Sequence, residues 1–147
     1  MAAGADEFEL DPAALARAEA ALAALTSDYI RWMEADMASL RAALDALREA
    51  GPAEAPERCR QLFAVAHNMK GQAGTFGYPL LTRLGNALCR LLEGSAAGGA
   101  VPLARLGALV DAMGEVVAGR LDGDGGVAGR DLLLGLEGEG VLSAEGA

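Results

Sequence analysis

The sequence predicts an all-α fold, an antiparallel four-helix bundle with an additional N-terminal helix. Three observations carry that expectation. Apolar residues recur at steps of three and four along most of the chain, the spacing of an amphipathic helix. Proline and glycine fall between those runs, where helices start and stop. Nothing alternates at period two over a useful length, so no sheet is expected. At 147 residues, 52% of them hydrophobic, the chain can build one domain with a real core and is no disordered acidic segment.

Residues 1–11 hold Asp6, Glu7, Glu9 and Asp11 with no cation, the opposite of a secretory n-region. They are read as a flexible N-terminus of a cytoplasmic protein. Asp11-Pro12 is a helix start, an acidic cap followed by proline in the first turn. Leu15, Ala18, Leu22, Leu25 and Tyr29 then follow at helical spacing, resuming as Ile30, Met33, Met37, Leu40, Leu44 and Leu47. A single helix from 12 to 50 would span about 58 Å at 1.5 Å per residue, long for a small globule. A break is therefore expected at Thr26-Ser27-Asp28, all good caps, and Gly51-Pro52 ends the section.

The next helix runs from about Pro56 to Phe76 and is stopped by Gly77. Pro79 opens another, with Leu80, Leu81, Leu84, Leu88, Leu91 and Leu92 apolar and Gly94 at its end. Pro102 opens the last bundle helix, carrying Leu103, Leu106, Val110, Met113 and Val117. The bundle is thus assigned to residues 12–121. Residues 122–147 begin with Asp122-Gly123-Asp124-Gly125-Gly126 and are read as a glycine-rich linker and acidic tail, with one short turn at Leu132–Leu136.

Several functions are disfavoured. The net charge of −9 argues against nucleic acid as a partner. Apolar stretches are interrupted well before the roughly 20 residues of a membrane span. Cys59 and Cys89 have no ligand-like spacing and read as reduced core thiols; no metal site is expected. The charge is uneven, however. From Glu57 to Glu93 there are five cations and two acids, whereas residues 1–56 carry −7 and residues 94–147 carry −5.

Within that mildly positive island lies the only histidine, in Ala66-His67-Asn68-Met69-Lys70-Gly71-Gln72-Ala73-Gly74-Thr75-Phe76-Gly77. Imidazole is well suited to accept and return a group near neutral pH. At 100° per residue, Leu62, Val65, Ala66, Met69, Ala73 and Phe76 form a core stripe. Arg60, Phe63, Ala64, His67, Lys70, Gly71 and Gly74 take the other side, so His67 is expected to face solvent. Glycine inside a helix costs about 1 kcal/mol relative to alanine, and Gly71 and Gly74 sit on that outer face. With Ala64 they leave open surface around a nucleophile, beside a cation and an exposed phenylalanine, as suits close approach by a partner. No nucleotide-binding loop is present, so a carrier of phosphate would have to be loaded by another protein.

The motif His67-x-x-Lys70-Gly71, continuing through Ala73, Gly74 and Gly77, resembles the phosphorylation signature of the histidine phosphotransfer (HPt) domain of two-component phosphorelays. The stretch Ala66 to Tyr78 is also similar to the phosphoacceptor domain of chemotaxis histidine kinases. The resemblance implies a free-standing phosphoryl carrier without kinase activity of its own. It implies that His67 takes phosphoryl through Nε2 from an aspartyl phosphate on one receiver domain and passes it to another receiver's aspartate. The partners it implies are receiver domains of response regulators and of a hybrid histidine kinase. Those receivers would supply Mg²⁺; this chain would need no cofactor. Lys70 would hold phosphoryl oxygens, and Arg60, Phe63, Ala64, Gly71 and Gly74 would form the docking surface of a monomer. The alternatives are a receiver-binding adaptor that carries no phosphate and a helical scaffold in which His67 is incidental.

Overall fold

The computed structural model describes residues 11–96 and 98–143, and five helices account for most of them. They are α1 (Pro12–Glu49), α2 (Ala55–Ala73), α3 (Pro79–Ala96), α4 (Leu103–Gly119) and α5 (Gly126–Gly138). Proline sits in the first turn of α1 and of α2, opens α3 and caps α4. In each place its fixed φ favours the helix and its missing N–H costs nothing.

The first four helices close into a ring, α1 against α2 and α4, and α3 between α2 and α4. Neighbours run antiparallel. Tyr29, midway along α1, stacks on Phe76 beyond the end of α2, with ring centroids 4.2 Å apart. Across the other α1 interface, Arg41 lies over Gly114 and bonds Asp111 at 3.1 Å, while Arg48 lies over Gly107. Those arginines and those glycines are each seven residues apart, so two turns of α1 register with two turns of α4. A Cβ at either glycine would run into a guanidinium, which is why α4 keeps its smallest residue there.

The core is aliphatic. Leu40, Leu62, Leu81, Leu84, Leu88 and Leu109 are fully enclosed, and no charged or polar side chain is buried among the described residues. Each enclosed leucine contributes about 1.5–3 kcal/mol by leaving water, the main force holding the ring closed. At one end Tyr29, Phe76 and Tyr78 form an aromatic plug. There Gly77 (φ 86°) takes the left-handed turn that ends α2, and its carbonyl accepts the N–H of Gly123 at 2.9 Å. That bond ties the α4–α5 connection to the same end.

Two expectations need correction. The chain does not break at Thr26-Ser27-Asp28; α1 is one 38-residue helix, about 57 Å long at 1.5 Å per residue. The size of the globule sets no limit because the first four turns project past it. The capping side chains are used inside the helix, Thr26 Oγ1 donating to Leu22 O at 3.0 Å and Asp28 pairing with Arg31. The additional N-terminal helix is therefore an extension of the first bundle helix. Beyond Gly125, a 13-residue helix stands where a linker and one short turn were expected. Gly125 caps it in the left-handed conformation, Asp124 Oδ1 accepts the N–H of Gly126 at 2.9 Å, and Leu136 and Leu142 are buried. Glycine density hid that signal, since it lowers helix propensity without removing the apolar face. Residues 1–10 and 144–147, parts of the expected flexible N-terminus and acidic tail, lie outside the described residues.

Among the described residues no helix is long and apolar enough to cross a membrane. The phenol of Tyr29 is pushed up to about 12, first by burial and then by Tyr78 and Asp36. An unfolded tyrosine ionises near about 10. Between those values the unfolded chain releases a proton that the folded one keeps, so stability falls as pH rises. Thermal melts should show that fall between about pH 10 and 12, and Tyr29→Phe should flatten part of it. An equally steep fall in the variant would remove Tyr29 as its cause.

Candidate functional site

α2 is held from behind. Cys59, Leu62, Ala66, Met69 and Ala73 make its buried face. Val65 and Phe76, placed in the core stripe by the wheel, are only partly buried and pack on the core's margin. On the opposite side His67 is exposed, as are Arg60, Ala64, Gly71 and Gly74. Helical spacing brings Phe63 one turn below His67, and the two rings stack with centroids 5.7 Å apart and planes 10° from parallel. The imidazole is thus backed by a flat apolar surface that limits its rotation while its edge meets solvent. A Cβ at Gly71 would meet nothing within 4 Å, so the space above His67 is open.

Two residues expected on the outer face are half-buried. Phe63 packs against the core margin, and Lys70 is partly covered by α3. For Lys70 the cause is Gly85, where α3 crosses α2 over Ala66 and Lys70. A Cβ there would stand 2.8 Å from Lys70 Cβ and 3.7 Å from Ala66 O. Thr82 Oγ1 adds a bond to Lys70 O at 3.2 Å, and the same oxygen lies 3.7 Å from where Gly74 would carry a Cβ. Gly74 therefore borders α3, whereas Gly71 does not. The stem of Lys70 is therefore packed against α3 where it leaves α2. The Lys70 ammonium also acts on Cys89, opposing the upward push that burial gives the thiol.

The positive island is partly neutralised. Arg60 donates twice to Glu57 Oε2, at 3.0 and 2.7 Å, and Arg83 pairs with Glu137 of α5 at 3.6 Å. Lys70, one helical turn from His67, makes no ion pair among the described residues. Among those residues no three acidic, histidine or cysteine side chains converge as a metal site. The sequence reading missed Gly85. It also missed an apolar groove of about 770 Å³ between α2, the end of α3 and Val101, into which Phe63 and Cys59 project. Its only sequence signal is the cluster of small residues and prolines at Pro52, Pro56 and Gly98-Gly99.

The arrangement offers an exposed ring nitrogen, a neighbouring cation anchored at its base, and vacant surface for an incoming group. The family model for the Hpt domain matches residues 24–119, well over half the chain and the whole of α2 and α3. No curated protein and no solved structure matches the chain.

Gly71 and Gly85 should respond in opposite directions to the same methyl. Gly71→Ala should stabilise by up to about 1 kcal/mol through helix propensity. Gly85→Ala should destabilise by about 1–2 kcal/mol, because the interface must open and that outweighs the propensity gain. Urea midpoints of the two variants check this; shifts of the same sign would contradict the crossing.

Proposed function

The chain belongs to the Hpt domain family, and on that premise we propose that His67 is its phosphoryl carrier in a two-component phosphorelay. What supports the assignment is the exposed imidazole, stacked on Phe63 and open above Gly71, within the matched segment. A lone pair on Nε2 attacks the phosphorus of a receiver's aspartyl phosphate. The N–P bond forms as the P–O bond to aspartate breaks, and the carboxylate departs as an anion. The reverse sequence delivers the group to an aspartate on a second receiver.

In this reading Lys70 offsets charge on the phosphoryl oxygens as a point charge, its stem already ordered by Gly85. Arg60, Phe63, Ala64, Gly71 and Gly74 form the surface that the receiver meets. The Mg²⁺ and most of the charge stabilisation come from the receiver. The protein has no kinase activity of its own and is loaded by its partners, the receivers of a hybrid histidine kinase and of response regulators.

Incubated with ATP alone, the protein should stay unlabelled; a phosphorylated receiver domain should label it within minutes. The label should be lost in acid and survive base, as a phosphoramidate does and an acyl phosphate does not. His67→Gln should abolish labelling with circular dichroism and melting temperature unchanged. Persistent labelling would refute the assignment, and receiver binding without any labelling would make the protein an adaptor.

The neighbours separate chemistry from access. Lys70→Ala should slow transfer from the receiver or shorten the phosphohistidine lifetime while costing under about 1 kcal/mol of stability, the larger part from lost packing of its stem. Gly71→Leu should fold and keep the reactivity of His67 toward a small phosphoramidate donor, yet lose most protein-to-protein transfer. Normal transfer in Gly71→Leu would show that the open surface is not used.

A further inference from the structure

His67 stands on an outer helical face, where an imidazole turns about two side-chain bonds, the second with broad preferences. A hydrogen bond to one ring nitrogen commonly fixes such a ring and leaves the other nitrogen to react. Among the described residues no side-chain hydrogen bond reaches His67. The contact that orders the imidazole is the one with Phe63, whose ring lies 5.7 Å away between centroids and within 10° of parallel. Offset aromatic stacks fall in this range.

The helix itself directs that contact. Side chains of an α-helix lean toward its N-terminus, so His67 lies back over the turn that holds Phe63 and Ala64. Ala64 offers only a methyl, and Gly71, one turn on, offers no side chain at all. Phe63 is half-buried and packed on the core's margin, while His67 is exposed. A mobile surface ring thus rests on an anchored one.

We propose that Phe63 is a positioning residue for phosphoryl uptake, acting through the imidazole and not only through contact with a receiver. The proposal rests on His67 being the phosphoryl carrier. The lone pair that attacks phosphorus lies in the plane of the imidazole. Holding that plane parallel to Phe63 confines the line of attack, so less orientational freedom is lost on the way to the transition state. The open space above Gly71 leaves the imidazole accessible on the other side. A residue that served only as docking surface would stop mattering once the receiver was replaced by a small molecule.

Phosphoramidate is the probe that separates the two roles. Its P–N bond breaks as Nε2 bonds to phosphorus, ammonia departs, and no receiver takes part. Phe63→Leu keeps apolar packing at the core's margin and should take label about two- to tenfold more slowly, the factor that one aromatic stack is worth. Phe63→Tyr keeps the ring, and the groove that Phe63 lines has space for the added hydroxyl, so its rate should match that of the wild type. Proton NMR gives a readout that a merely structural role would not move. The imidazole C–H resonances of the wild-type protein should lie upfield under the Phe63 ring and should return toward those of free histidine in Phe63→Leu, with circular dichroism unchanged. An undiminished rate in Phe63→Leu, a tyrosine variant as slow as the leucine one, or unshifted imidazole resonances in the wild type would overturn the proposal. The last of these needs no variant to fold. The two readings fail differently: a wild-type protein that no phosphorylated receiver can label overturns the carrier reading and this role with it, whereas normal labelling with equal phosphoramidate rates overturns this role alone.

Discussion

A side chain that stays open to solvent on a bundle helix has to stand on a face that no neighbouring helix covers. α2 meets that constraint, and much of the bundle follows from it. Its inner face is buried to the last methyl at Leu62, Ala66 and Ala73, while its outer face keeps His67 free of any neighbouring helix. Rigidity then has to come from behind and from the flank. Gly85 lets α3 approach until Lys70 Cβ becomes the contact, and Thr82 adds a hydrogen bond to the α2 backbone. The aromatic plug of Tyr29, Phe76 and Tyr78 fixes the far end of α2, where the chain turns at Gly77. The imidazole therefore sits on a helix anchored at its flank and its end, with a phenylalanine as its floor.

Small residues do opposite things in this chain depending on what lies above them. Gly71 has nothing above it, so its missing side chain is open surface. Gly85, Gly107 and Gly114 each have a side chain of a neighbouring helix where a Cβ would be, so their missing side chains are contacts. At all four the helix forgoes about 1 kcal/mol of propensity, and only packing tells the cases apart.

That distinction marks how far the sequence can be read. The four bundle helices and the outward face of His67 were legible because the 3.6-residue period and the proline and glycine punctuation are local signals. The stacking of Phe63 on His67 follows from the same period. What was hidden depends on neighbours distant in sequence. Lys70 looked exposed because nothing local announces that α3 crosses at Gly85. α5 was missed because glycine density obscured its apolar face, which becomes apparent only through the burial of Leu136. The continuity of α1 through Thr26-Ser27-Asp28 shows the converse error, in which good capping residues satisfy their hydrogen bonds within an uninterrupted helix.

The proposed role of His67 as the phosphoryl carrier is tested most directly by phosphorus NMR on the uniformly ¹⁵N-labelled protein after loading from a phosphorylated receiver. Because the chain has a single histidine, the account predicts one phosphoramidate resonance coupled to one ring nitrogen of His67. A phosphorus signal without nitrogen coupling, or no protein-bound signal while the receiver's own phosphate is consumed, would contradict it.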